Sequence, residues 1–86
     1  MLKAFYHKDF KKDFKKLPKN MRERFAQRFI VFLKNPADLI LRDHPLLGVL
    51  QGKRAFSVGG DIRVVYRFLD KNTILLLRIG THNQVY

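Results

Sequence analysis

Lys53-Arg54-Ala55-Phe56-Ser57-Val58-Gly59-Gly60-Asp61-Ile62-Arg63-Val64-Val65-Tyr66-Arg67-Phe68-Leu69 decides the fold. The stretch is rich in β-branched and aromatic residues and alternates with a period of two, as a strand does when its side chains point to opposite faces. Gly59-Gly60 supplies the left-handed backbone that a tight hairpin turn needs. Lys53 to Val58 and Asp61 to Leu69 therefore read as two antiparallel strands. Asp70-Lys71-Asn72 marks a second turn, and Thr73 to Ile79 a third strand. On the middle strand Ile62, Val64, Tyr66 and Phe68 share the face expected to meet helices, while Arg63, Val65 and Arg67 share the other.

Upstream, Phe10, Phe14 and Leu17 recur at the spacing of one helical stripe. Lys8, Lys11, Lys12, Lys15, Lys16 and Lys19 fall on the opposite side, flanked by Asp9 and Asp13. Pro18 breaks this helix; Asn20 with Glu23 then has the form of a capping box. The second helix runs to about Lys34, with Met21, Phe25, Ala26, Phe29, Phe32 and Leu33 on one broad face, and Asn35-Pro36 ends it. Ile30 and Val31 lie off that face: either they pack beneath Leu39-Ile40-Leu41, or they offer an apolar anchor to a partner. Residues 37 to 52 read as an irregular connection tied down by its leucines. Leu2 to Tyr6 reads as an added edge strand. The expected fold is α+β in the order β-α-α-β-β-β, two helices on one face of a three- to four-stranded, mainly antiparallel sheet, in one domain over 1–86.

Eighteen Lys and Arg against seven Asp and Glu give a formal charge of +11 in 86 residues. Such a field draws polyanions, and the uneven placement of the basic residues favours nucleic acid or an acidic partner over mere solubility. There is no cysteine, which removes disulfides and thiolate metal sites and suits the cytoplasm. No segment reaches the ~20 apolar residues of a membrane span. The amino terminus lacks the pattern of a signal peptide.

No phosphate-cradling glycine loop or Ser or Cys nucleophile motif is present, and His7, His44 and His82 lack zinc-site spacing. What remains is His44, His82, Asp61, Arg63 and Tyr86. Singly these also read as a loop histidine, a tail histidine, a turn aspartate, a solvated arginine and an aromatic plug. Together they suit metal-free cleavage of RNA, in which the 2′-hydroxyl attacks the adjacent phosphate. That step needs a general base, a general acid for the leaving 5′-oxygen, and cations for the phosphorane. Histidine serves in either proton-transfer role.

Asp43-His44-Pro45-Leu46-Leu47-Gly48, Gly52-Lys53-Arg54, Asp61-Ile62-Arg63-Val64-Val65-Tyr66 and Arg78-Ile79-Gly80-Thr81-His82 resemble the YafQ branch of the RelE toxin superfamily. The resemblance implies a toxin of a type II toxin–antitoxin pair that cleaves mRNA on the ribosome without cofactor or metal. It implies that His44 and His82 are the site histidines, Asp61 the aspartate and Tyr86 the C-terminal aromatic. Arg63 falls where RelE proper has a catalytic arginine, and Ser57 stands where YafQ has a further histidine.

The lysine run, with Arg54 and Arg67, is expected to contact RNA or ribosome. The expected partners are ribosome, mRNA and an antitoxin with an acidic segment; the free chain is expected to be a monomer. Two rivals stand beside this reading, a ParE-like gyrase poison of the same fold and a non-catalytic nucleic-acid-binding module.

Overall fold

Tyr66 lies at the centre of the fold with no exposed surface, edge-on to Phe32 at 4.9 Å and tilted against Phe56 at 5.8 Å. The computed structural model describes residues Met1 to Tyr86. Its elements are β1 (Lys3–Tyr6), α1 (Lys8–Lys16), α2 (Lys19–Lys34), β2 (His44–Pro45), β3 (Arg54–Gly59), β4 (Ile62–Asp70), β5 (Thr73–Thr81) and α3 (His82–Val85). Single 3₁₀ turns at Leu39–Leu41 and Gly48–Leu50 flank β2. The five strands form one sheet in the order β1-β5-β4-β3-β2, in which only the β1–β5 pair is parallel.

The expected three- to four-stranded sheet is thus one strand short and the expected order lacks two elements. β2 escapes a periodicity search because it has two residues, His44 and Pro45, paired with Ala55 and Arg54. α3 escapes because it is a single turn, closed by the Thr81 N–H donating to Gln84 Oε1 at 2.9 Å.

The helices form where the apolar stripes direct. Phe10 is buried, with Phe14 and Leu17 beside it against the main cluster. The His7 ring starts α1 by accepting the Asp9 N–H at Nδ1, 3.0 Å away, which accounts for this third histidine as a cap. The Asn20 capping box does not form. α2 begins at Lys19, and the Pro18 carbonyl accepts the N–H groups of Met21 and Arg22. Proline is tolerated at a helix start because N–H groups there have no intrahelical partner. Glu23 meets Lys19 at 3.9 Å instead, so Lys19 belongs to α2 and not to the lysine helix.

The hairpin loop is Gly60-Asp61, one residue later than the glycine pair suggests, because a bulge lets Gly59 pair with Ile62. A second bulge matters more. Val65 pairs with Arg78 but Tyr66 pairs with Leu76, which leaves Leu77 as an extra residue in β5. The extra residue reverses the facing of the rest of the strand. Ile74, Leu76 and Ile79 therefore all join the helix-side core, while Leu77 turns to the opposite face.

That opposite face is not open. Leu46, Ala55, Val65 and Val85 form a second buried cluster there, with Leu50 and Leu77 against it. Within the connection Leu41 and Leu46 are buried anchors, but Leu39 and Leu47 stand in solvent. Phe68, expected under the helices, is 42% exposed beyond the end of their cover. Ile30 and Val31 part company: Ile30 is 57% exposed, and Val31 packs against the main core.

Removing the Phe32 ring leaves a void against Phe56 and Tyr66. Phe32→Ala is expected to cost about 3–5 kcal/mol in urea unfolding, with exposed Phe5→Ala costing under about 1. Equal costs would show that the stack is not the core.

Candidate active site

The strand register settles which side chains share a face. Ser57 pairs with Arg63 and Arg63 with Gly80, so these positions cross the sheet on the face away from α1 and α2. α3 lies over Gly80: a Cβ there would come within 2.6 Å of Gln84 Oε1 and 3.3 Å of Val85. The small residue lets the C-terminal turn fold back on the sheet.

Arg63 is half-buried. Its Nη1 donates to Ser57 Oγ at 3.3 Å, to the Gly60 carbonyl at 3.0 Å and to the Ile62 carbonyl at 3.2 Å. The guanidinium is braced on the hairpin through one nitrogen, and its Nε and Nη2 have no protein partner. The last turn of the chain sets the rings of His82 and Tyr86 edge-to-face at 4.3 Å. Burial raises the Tyr86 phenol above its ordinary range, opposed by the nearby charge of Arg63, so it is neutral at physiological pH. Arg63, Tyr86 and His82 thus gather at one end of this face.

Asp61 lies at the same end, since its turn precedes Ile62, which pairs with Thr81. It is exposed. Of the seven carboxylates it alone has neither a hydrogen bond nor an ion pair.

His44 belongs to the same face but stands apart. It pairs with Ala55, which pairs with Val65, so two strand spacings, about 10 Å, separate it from β4. Its Nδ1–H donates to the Arg42 carbonyl at 2.9 Å, which leaves the Nε2 lone pair of the neutral ring free to take a proton. Arg67 is exposed on β4, four residues and about 13 Å from Arg63.

Arg54 is placed elsewhere. It pairs with Tyr66 on the helix side, and its Nε donates to Asp43 Oδ1 at 2.7 Å. The Tyr66 hydroxyl donates to the other oxygen of Asp43. Burial and then Asp43 push the Tyr66 phenol far above its usual range. For Arg54, burial lowers the pKa, but Asp43 and then Tyr66 together outweigh it and leave the guanidinium raised. Sequence reasoning missed Asp43, whose only signal was its place beside His44. The lysines of α1 are exposed but belong to a helix packed on the other side of the sheet from Arg63 and His82. No three His, Cys, Asp or Glu side chains come together as a metal set. No helix is long and apolar enough to cross a membrane.

The sequence model for the bacterial toxin YafQ of type II toxin–antitoxin systems matches residues 2–86. The chain belongs to the YafQ toxin family. Among solved structures, YafQ from E. coli strain BL21(DE3) superposes with a TM-score of 0.81 at 23% identity, covering 100% of this chain and 99% of that one. A copper-bound mutant toxin from Helicobacter pylori gives 0.74 at 28% identity, covering 100% of both chains. The E. coli DinJ–YafQ complex gives 0.72 at 23%, covering 100% and 99%. No curated protein matches by sequence. In this YafQ toxin, then, the recurrent fold carries Arg63, His82 and Tyr86 on the face that α1 and α2 leave free.

Asp43 holds the segment that delivers His44. Asp43→Ala breaks the Arg54 pair and leaves the buried Tyr66 hydroxyl without an acceptor. It is expected to lower unfolding stability by about 2–3 kcal/mol. A loss below about 0.5 kcal/mol would show that the pair is incidental.

Proposed function

We propose that this toxin is an endoribonuclease that cuts ribosome-bound mRNA by directing the RNA's own 2′-hydroxyl at the adjacent phosphate. The observation that carries the reading is Arg63. One of its nitrogens is braced on the hairpin, the other two have no protein partner, and its charge acts on Tyr86, whose ring packs on His82. A guanidinium fixed in this way stabilises charge that develops on a phosphorane without first having to reorganise. His44 and His82 supply the general base and general acid, in an order the RNA's direction decides. Tyr86, neutral and half-exposed, offers a ring for a base to stack on. Asp61, with no partner inside the protein, is available to orient an imidazole or a ribose hydroxyl. The lysines of α1, with Arg67, bind ribosomal RNA phosphates rather than the scissile nucleotide.

His44 lies about two strand spacings from β4 and not against His82. The reading accommodates this because a nucleotide set between the two histidines spans such a gap. A gyrase-poisoning role has no use for a braced arginine beside a histidine and an aromatic ring, and a passive binding module has none for an unpaired Asp61.

The partner is set by charge. A chain at +11 calls for an antitoxin with an acidic segment, ordered on binding, and the DinJ–YafQ complex is a precedent for pairing in this family. Ile30 serves as an apolar anchor for it; Val31 is occupied by the core. The copper in the Helicobacter pylori toxin belongs to that protein.

His82→Ala is expected to fold normally and to cleave programmed ribosomes about 10²–10⁴-fold more slowly. Full activity in the folded variant would remove His82 from the chemistry. Cleavage is also expected to survive chelation of transition metals with magnesium held constant for the ribosome. Loss on chelation with recovery on adding copper or zinc would replace the acid–base scheme.

A further inference from the structure

At the outer edge of β3, α2 and the connection enclose a groove of about 640 Å³. Arg28 and Arg42 line it together with Ser57, Gly59 and Gly60. Arg24, one helical turn before Arg28, lies directly on Gly59, where a Cβ would meet Arg24 Cδ at 2.7 Å. Gly59 also has φ +126, so the position both requires glycine and brings a guanidinium against bare backbone.

Arg28 and Arg42 in the groove and Arg24 against its Gly59 place three cations close together, and none of them forms an ion pair with a carboxylate. The carboxylate ion pairs of arginine are Asp43 with Arg54 and Asp13 with Arg78. Arg28 Nη1 donates to the Ile40 carbonyl at 3.1 Å, while the side chains of Arg24 and Arg42 have no bonded partner. Arg42 is moreover the one non-glycine residue in the left-handed region, at φ +50. Such a conformation persists only where neighbouring structure imposes it, and it concentrates at functional sites. The same turn gives the Arg42 carbonyl to the His44 ring.

The groove is continuous with the candidate active site. β2 pairs only with Arg54 and Ala55, so Phe56 to Gly59 have no strand beyond them on this edge. Ser57 lines the groove and also accepts from Arg63.

We propose that Arg24, Arg28 and Arg42 form a phosphate-binding track that leads single-stranded RNA around the outer edge of β3 to the Ser57–Arg63 pair. The inference rests on the ribonuclease reading and adds the path of the substrate. Guanidinium suits the role, because its planar fork donates two parallel hydrogen bonds to a phosphate. A track that ends beside His44 and Arg63 sets the scissile phosphate between the two histidines, which the sheet alone holds apart.

The test measures binding of a fluorescent, 2′-O-methylated single-stranded RNA, which lacks the attacking hydroxyl, by anisotropy across a range of salt. Each phosphate contact adds about 0.7 to the log–log salt slope of a single strand. Arg24→Gln/Arg28→Gln/Arg42→Gln should therefore flatten the slope by about 2. A charge-matched control, Lys3→Gln/Lys34→Gln/Lys71→Gln, should leave it nearly unchanged. Replacing the three arginines by lysine should restore it. If the triple glutamine variant does not fold, Arg24→Gln/Arg42→Gln, whose side chains hold nothing in place, should flatten it by about 1.4. An unchanged slope, with RNA bound and cleaved as by the parent, overturns the track and leaves the ribonuclease reading intact. RNA bound normally but binding of the acidic antitoxin lost overturns it in favour of a protein strand on this edge. A parent protein that neither binds this RNA nor cleaves mRNA on programmed ribosomes overturns both.

Discussion

Val64, Val65 and Tyr66 are consecutive in β4 and are all buried. Consecutive strand residues point to opposite faces, so this is possible only if both faces of the sheet are covered. Two helices cover one face. The other has only the single turn of α3, and its cover is assembled from Leu46 and Leu50 of the connection and Val85 of that turn. Those segments carry His44 at one side and His82 and Tyr86 at the other. The demand that Val65 be dry therefore fixes two loop-like pieces of chain against a rigid sheet, and the candidate site exists because of it.

The carboxylates tell a complementary story. Asp13 receives Arg78 at 2.6 Å and the Ile79 N–H at 3.1 Å, and so ties α1 to the bulged half of β5. Asp43 ties the connection to β3 and β4. Asp38 and Asp70 accept backbone N–H groups at turns. With the few acids committed to architecture, most of the positive charge is left to the surface, and it is divided. The lysines of α1 lie on the helix side, and Arg24 and Arg28 of α2 with Arg42 of the connection lie at the β3 edge. Arg63 and Arg67 face the site. A flexible polyanion can touch all three; a small ligand cannot.

What could be read from the sequence was whatever repeats. The hairpins, the stripe Phe10-Phe14-Leu17 and the inward set Val64 and Tyr66 rest on periods of two and 3.6, and they hold. Features that break a period were hidden. The extra Leu77 reverses the facing of Arg78 to Thr81, and Pro18 displaces the cap from Asn20. A two-residue strand and a one-turn helix have no period at all. Of the candidate site, His82, Tyr86 and Arg63 lie together in the fold, and His44 stands about two strand spacings from β4. Asp43 and the arginine edge were not legible, because their partners lie far away in the chain: Asp43 meets Tyr66, and Arg24 meets Gly59. The placement of Arg54 was hidden for the same reason, since only the fold shows that Asp43 pairs with it on the helix side.

If this face directs the RNA's own 2′-hydroxyl at the phosphate, the ends of the cut strand record it most directly. Mass spectrometry of mRNA fragments from toxin-treated ribosomes should find a 2′,3′-cyclic phosphate, or the 3′-phosphate formed by its opening, on the upstream piece and a 5′-hydroxyl on the downstream piece. A 3′-hydroxyl paired with a 5′-phosphate would mean that water and not the ribose is the nucleophile, and would rule out the proposed 2′-hydroxyl attack.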